Sequence, residues 1–355
     1  MNKFLTTLLV LMLPMSLSAK EELFIYNWSD YIAEDTIANF EEETGIDVTY
    51  DVFDSNEVLE AKLLAGGSGY DLVVPSGSFM ENQIKAGVFQ KLDKSMIPNL
   101  KNLDPSVLEK TDAHGPGGDY SVNYMYGTTG IGYNVAAVEE RGGDVESWDI
   151  IFDVNEISKY EDCGVAFLDA PSEIVEIALN YLGHDPNTEN TKANQEALDL
   201  LNQIRPYIKY FDSSQYIDDL ANGEICLAIG WSGDVFIAAY EEIEEVWYSI
   251  PNEGTVIWFD MMGIPADAKN VENAHKFIDY ILRPEVVAEI TNYVWYSNPN
   301  LVANTTEGLI DPEILSDPAI YPTEETLTKL FADTADSPQK SRISSRVFNS
   351  FKATQ

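Results

Sequence analysis

From Leu23 onward, short apolar runs alternate with amphipathic stretches, and this alternation narrows the fold more than any other feature. Leu23-Phe24-Ile25-Tyr26 reads as a strand. A helix from about Asp35 to Glu43 follows, with Ile37 and Phe40 on one face and Gly45 just past its end. Ile46 to Phe53 is the next strand, since Val48, Tyr50 and Val52 alternate. Asn56 to Leu64 is helical and stops at Gly66-Gly67, and Asp71-Leu72-Val73-Val74 is a short strand ended by Pro75-Ser76-Gly77. Strand, helix, strand, helix in this order predicts an α/β fold, its sheet mostly parallel and covered by helices.

The alternation resumes mid-chain. Strands are expected at Val165–Leu168, Tyr207–Phe211, Ile225–Ile229 and Val256–Met262, and helices at Pro171–Leu182, Asn190–Ile204, Gln215–Ala221 and Val271–Leu282. Gly115 to Gly118 and Arg141 to Gly143 read as loops. Gly127-Thr128-Thr129-Gly130-Ile131-Gly132 is a candidate crossing between lobes, because glycines permit a bend.

Lys3, the apolar run Phe4 to Pro14 and the small residues Ser16-Leu17-Ser18-Ala19 have the order of a secretory signal peptide over residues 1–19. A buried N-terminal helix is the alternative reading. The run is shorter than the roughly 20 residues that span a bilayer, and no later segment is apolar enough to do so. Cleavage would leave a chain longer than one hydrophobic core usually supports, so two domains are expected. Sixty acidic residues against 21 basic ones give a formal charge of −39. Such a surface repels nucleic acid and anionic lipid and concentrates cations. Life in a salty or cold habitat accounts for it equally well. Export would place Cys163 and Cys226, the only cysteines, in an oxidising compartment. One disulfide is the natural reading there, and two buried thiols the alternative. His114, His184 and His275 lie far apart in sequence, which argues against a metal site.

Tryptophan and carboxylate recur together near strand ends. Asn27-Trp28-Ser29-Asp30-Tyr31 closes the first strand, Gly230-Trp231-Ser232-Gly233-Asp234 closes another, and Trp258-Phe259-Asp260 lies in a third. Tyr293 to Tyr296 adds an aromatic run. Ligands of open α/β sheets sit beyond the carboxyl ends of the strands. A ring face attracts an organic cation and covers its methylenes, while a carboxylate neutralises the ammonium. Each residue also has a structural reading: Trp28 as core, Asp30 and Asp234 as helix caps, Glu173 as a partner of a helix dipole. No G-x-S-x-G, H-E-x-x-H, Walker A or G-x-G-x-x-G motif occurs, so the chain reads as a binder without a cofactor rather than as an enzyme.

Ile25 to Ile32, Tyr50 to Glu60, Asp71 to Ser76, Thr128 to Asn134, Phe167 to Pro171, Ser213 to Ile217, Ala228 to Trp231 and Leu282 to Ala288 resemble the bacterial periplasmic putrescine/spermidine-binding proteins, and the putrescine branch most. The resemblance covers essentially the whole chain after the leader. It implies a two-lobed periplasmic-binding-protein fold of type II, with the ligand in the cleft and a loaded form presented to an ABC permease. On that pattern lobe 1 comprises residues 20–127 and 262–302, and lobe 2 residues 128–261 and 303–355. It further implies a periplasmic monomer that engages neither nucleic acid nor the bilayer directly.

Carried over by position, the resemblance assigns ligand contacts to Trp28, Ser29, Asp30, Tyr31, Ser76, Glu173, Ser213, Trp231, Asp234, Trp258, Asp260 and Tyr296. Asp234 and Asp260 would pair with one ammonium group, and Asp30, Glu173 and Ser76 would serve the other end. Trp28, Trp231, Trp258 and Tyr296 would wall the methylene chain. Cys163 and Cys226 match cysteines of putrescine-binding relatives, which favours the disulfide. Small Ser78 and Ala170 resemble putrescine binders, whereas Trp258 resembles spermidine binders. The balance leans to putrescine, with spermidine as the alternative. A basic amino acid would need a cationic partner for its carboxylate, and no carried-over position supplies one.

Overall fold

The computed structural model describes residues 20–241 and 245–354. The leader read at residues 1–19 lies outside the described residues. Strand β1 (Glu22–Trp28) begins the first half, followed by helix α1 (Thr36–Thr44), β2 (Asp47–Phe53), α2 (Asn56–Leu64), β3 (Leu72–Val73) and α3 (Gly77–Lys85). Gly45 ends α1 with φ 72°, a left-handed conformation that glycine adopts without a Cβ penalty. Ser55 caps α2 by accepting from the Val58 N–H at 3.3 Å, a bond that contributes about 1 kcal/mol. Both β2 and β3 pair with β1 in parallel. Leu23 and Ile25 of β1 are fully buried, each contributing roughly 1.5–3 kcal/mol through removal of its side chain from water.

The second half repeats the plan. After the long β4 (Ser121–Asn134) come β5 (Val165–Phe167), β6 (Ile208–Phe211), β7 (Leu227–Trp231), β8 (Val246–Ser249), β9 (Val256–Gly263) and β10 (Phe331–Ala332). β5 pairs in parallel with both β6 and β7. The main path of strands runs β2-β1-β3-β9-β4-β7-β5-β6, with β8 on β4 and β10 on β9.

β4 and β9 join the halves. Ser121 to Thr128 of β4 pair antiparallel with β9, and from Thr129 onward the same strand pairs with β7. The handover falls between Thr128 and Thr129, inside the glycine-rich stretch expected to cross. Those glycines do not act by bending, however. None of Gly127, Gly130 and Gly132 has a positive φ. They clear space: a Cβ on Gly127 would stand 2.8 Å from the Trp258 ring.

Most expected elements form, with ends shifted by a residue or two. The strand expected at Ile225–Ile229 is Leu227–Trp231, and the one at Asp71–Val74 shrinks to Leu72–Val73. Asp71 instead turns its carboxylate to the Phe24, Lys269 and Asn270 amides. The Gly115 to Gly118 stretch contains a short 3-10 turn. Cys163 and Cys226 form a disulfide. It ties the segments entering β5 and β7, whose Val165 and Leu227 are register partners. Closing a loop of 63 residues contributes roughly 4 kcal/mol in the chain-entropy account.

Beyond β9, helices Val271–Ile281 and Pro284–Val294 return to the first half, the former against β1. The C-terminal helix Pro338–Ala353 covers helices Pro171–Tyr181 and Thr191–Ile204. It buries Val347, Phe348 and Phe351 and sets Lys340 against buried Glu176. Among the described residues no helix is long and apolar enough to cross a membrane.

Candidate functional site

Three strands end at one place. β1 delivers Trp28, with Ser29 and Tyr31 just beyond, β3 leads through Pro75 to Ser76, and β7 ends on Trp231. β9 crosses beside them with Trp258 and Asp260, and Glu173 stands in the first turn of helix Pro171–Tyr181. Asp234 follows Trp231 by one helical turn, and Tyr296 comes from the segment after helix Pro284–Val294. Together these ten residues line a cavity of about 380 Å³ between the halves.

Aromatic rings form its walls. Trp28 and Trp231 meet edge to face with centroids 5.5 Å apart. Trp258 lies 5.4 Å from Tyr296, and Tyr296 meets Tyr31 edge to face at 5.0 Å. The Trp28 indole N–H donates to the Val74 carbonyl at 2.8 Å, which fixes that ring in place. Gly233 lacks a side chain where the Tyr296 ring packs.

Three carboxylates stand within this wall, each held by neutral donors. Asp234 accepts from Tyr216 at 2.8 Å through Oδ2 and from Tyr296 at 2.7 Å through Oδ1. Asp260 accepts from Ser76 at 2.7 Å, and Ser76 in turn accepts from Asn56 at 2.9 Å. Glu173 Oε2 accepts from Thr129 at 2.5 Å and from the Trp231 indole at 3.1 Å. Burial pushes all three carboxyls up to about 7, against the smaller opposing effect of their donors. Burial first, and then the charge and hydrogen bonding of Asp260, hold the Tyr31 hydroxyl above its usual range, and Tyr31 in turn favours the charged form of Asp260.

Among the described residues no Lys or Arg lines this cavity. Each carboxylate keeps acceptor capacity, and a cation entering here would find charge and lone pairs with no internal competitor. The rings offer faces to a cation and to methylenes alike. Among the described residues no group of His, Cys, Asp and Glu is placed to hold a metal ion.

Two of the expected contacts lie elsewhere. Ser213 is buried outside the cavity, and its hydroxyl accepts from the Asp169 N–H at 3.1 Å. Asp30 is exposed at the cleft edge with φ 50°. Partial desolvation, followed by the Asp218 charge, raises its carboxyl. It acts on the site through its field, which raises Asp234. Ser78, read as a position sensing ligand length, lines a neighbouring cavity with Glu57 and Asp333 and donates to Asp333. Sequence reasoning missed Thr129 and Tyr216. Both fall inside stretches that carry the family resemblance, but their roles depend on which side chains converge from other elements.

The model of the bacterial extracellular solute-binding protein family matches residues 35–322. The chain belongs to that family. This solute-binding protein is 51% identical over 350 residues to the putrescine-binding periplasmic protein PotF of Escherichia coli, covering 95% of this chain and 93% of that one. It is 50% identical to the putrescine-binding periplasmic protein SpuD of Pseudomonas aeruginosa, over 93% of both chains. Its backbone is similar to that of a putative spermidine/putrescine ABC transporter protein from Listeria monocytogenes, with a TM-score of 0.86 and 34% identity over 94% of this chain and 100% of that one. The two-lobed type II fold expected from the sequence is the fold found.

Proposed function

We propose that this solute-binding protein captures a polyamine in the periplasm, putrescine foremost and spermidine as the alternative, and delivers it to an ABC importer. One observation carries the reading: an aromatic cavity that holds three buried carboxylates and, among the described residues, no basic side chain. A molecule with a carboxylate, such as a basic amino acid, would have no cationic partner inside. The names of the relatives support the same class of ligand.

In this reading Asp234 and Asp260 pair with one ammonium and Glu173 serves the other end, with Asp30 acting from the rim. The protein binds and releases without covalent chemistry, as a monomer. Lobe 1 comprises residues 20–127 and 262–302, and lobe 2 residues 128–261 and 303–355. Support for the first crossing is the change of pairing partner at Thr128–Thr129. The last crossing is gradual, since Asn292 still holds Leu309 and Asp311.

Thermal-shift titration with putrescine, cadaverine, spermidine, spermine and arginine tests the ligand class. A rise in melting temperature with at least one polyamine and none with arginine is expected. A response to arginine alone would overturn the reading.

A further inference from the structure

We propose that Thr129 is a positioning residue for the amine site: its hydroxyl determines which oxygen of Glu173 faces the cavity and ties that carboxylate to the Trp258 ring. The inference rests on the amine reading for its consequence, but its geometry stands alone. Thr129 is fully buried and does not line the cavity, so it acts through its neighbours.

The directions of its bonds follow from donor chemistry. An indole N–H can only donate. The Trp258 indole lies 3.2 Å from Thr129 Oγ1, so the hydroxyl accepts there. Its own proton is then free for Glu173 Oε2 at 2.5 Å. The Trp231 indole, also donor-only, reaches the same oxygen at 3.1 Å and Oε1 at 3.4 Å. Oε2 therefore takes two donors, and Oε1 is left with the weaker contact as the oxygen for a ligand. Two donors on Oε2 also oppose protonation there and favour the charged form.

The backbone holds this hydroxyl in place. Thr129 and Trp231 are register partners across β4 and β7, so both donors to Glu173 come from one rung of the ladder. On the far side the Thr255 hydroxyl donates to the Thr129 carbonyl. Thr129 is also where β4 changes partner from β9 to β7. One side chain thus joins the crossing strand, the helix bearing Glu173 and the ring of Trp258.

The test compares Thr129→Val, Thr129→Ala and Thr129→Ser with the wild type. Glu173 titration is read in the empty protein by carbon-13 NMR of labelled glutamate, with Glu173→Gln identifying its signal. The charged groups facing Glu173 are Asp333 and Glu57, and its charge is felt by Tyr216 and Tyr248. None of these four is altered in the variants. Loss of the hydroxyl should move the Glu173 midpoint up by about one pH unit, and putrescine affinity at pH 7 should fall about tenfold. Thr129→Ser should restore both. Thr129→Ala serves where the valine variant does not fold. An unchanged midpoint in both hydroxyl-free variants would overturn the proposal. So would a serine variant as impaired as the valine one, which would indicate a packing role. Because the midpoint is read without ligand, a wild type that binds no polyamine would refute the proposed function and leave the Thr129 result readable.

Discussion

Tyr296 and Asp234 are bonded twice: the tyrosine hydroxyl donates to Oδ1 at 2.7 Å and accepts from the Asp234 backbone N–H at 3.1 Å. The hydroxyl is therefore fixed in direction, and its ring at the same time forms cavity wall against Trp258 and Tyr31. Tyr296→Phe keeps the wall and removes the donor. Hydrogen bonds to charged groups contribute about 1.5–3 kcal/mol, so putrescine affinity should fall at least tenfold by titration calorimetry. A change below twofold would mean that Asp234 does not depend on this bond.

Asp234→Asn and Asp260→Asn each remove a buried counter-charge from an ammonium group. At least a tenfold loss of affinity is expected for each, because a buried cation left without its partner is costly. Unchanged affinity in both variants would remove these carboxylates from the site.

The three buried carboxyls make binding pH-dependent. Glu173, Asp234 and Asp260 are pushed up to about 7 in the empty protein by burial. Their folded values exceed the unfolded ones near 4, so the empty protein holds more protons than the unfolded chain between those values. Their contribution to stability is fully present below about pH 4 and lost as pH rises through about 7. A cation favours the charged forms, so affinity should weaken from pH 8 to pH 5.5, with protons released on binding near pH 7. Calorimetry in two buffers of different ionisation enthalpy reads that release, and equal enthalpies would contradict it.

Trp258→Phe should shift preference toward the shorter amine. Its ring lines the cavity, and its indole N–H is tied to Thr129. Phenylalanine is smaller and leaves that hydroxyl without its donor. The ratio of spermidine to putrescine affinity is the readout, and a constant ratio would exclude Trp258 as a selector.

The disulfide stands at the opposite end of β7 from Trp231. Replacing Cys163 and Cys226 together by serine should cost roughly 2–4 kcal/mol of stability by denaturant unfolding and change affinity less than threefold. A larger loss of affinity at unchanged stability would show that the bridge shapes the cleft.

The strands and the tryptophan–carboxylate pairs were legible because each leaves a local trace: alternation, a turn residue, an aromatic beside an acid. Trp28 and Trp231 converge because the carboxyl ends of β1 and β7, from opposite halves, meet across the crossing strands β4 and β9, and Asp234 follows in the helix after β7. Thr129 and Tyr216 left no such trace. Each matters through a hydroxyl directed at a carboxylate from another element, and spacing along the chain does not encode that meeting. Ser213 shows the converse. It stands in the right segment, three residues before Tyr216, yet its hydroxyl serves the Asp169 amide. The helix Pro338–Ala353 was also unread, since its role depends on the two helices it covers and on the buried pair of Lys340 with Glu176.

A crystal structure of the protein with putrescine tests the central claim most directly. The account predicts the diamine inside the cavity walled by Trp28, Trp231, Trp258 and Tyr296, with one ammonium bonded to Asp234 or Asp260 and the other to Glu173 Oε1. Putrescine bound instead in the neighbouring cavity of Glu57 and Asp333, or bound between the rings with neither nitrogen touching a carboxylate, would contradict it.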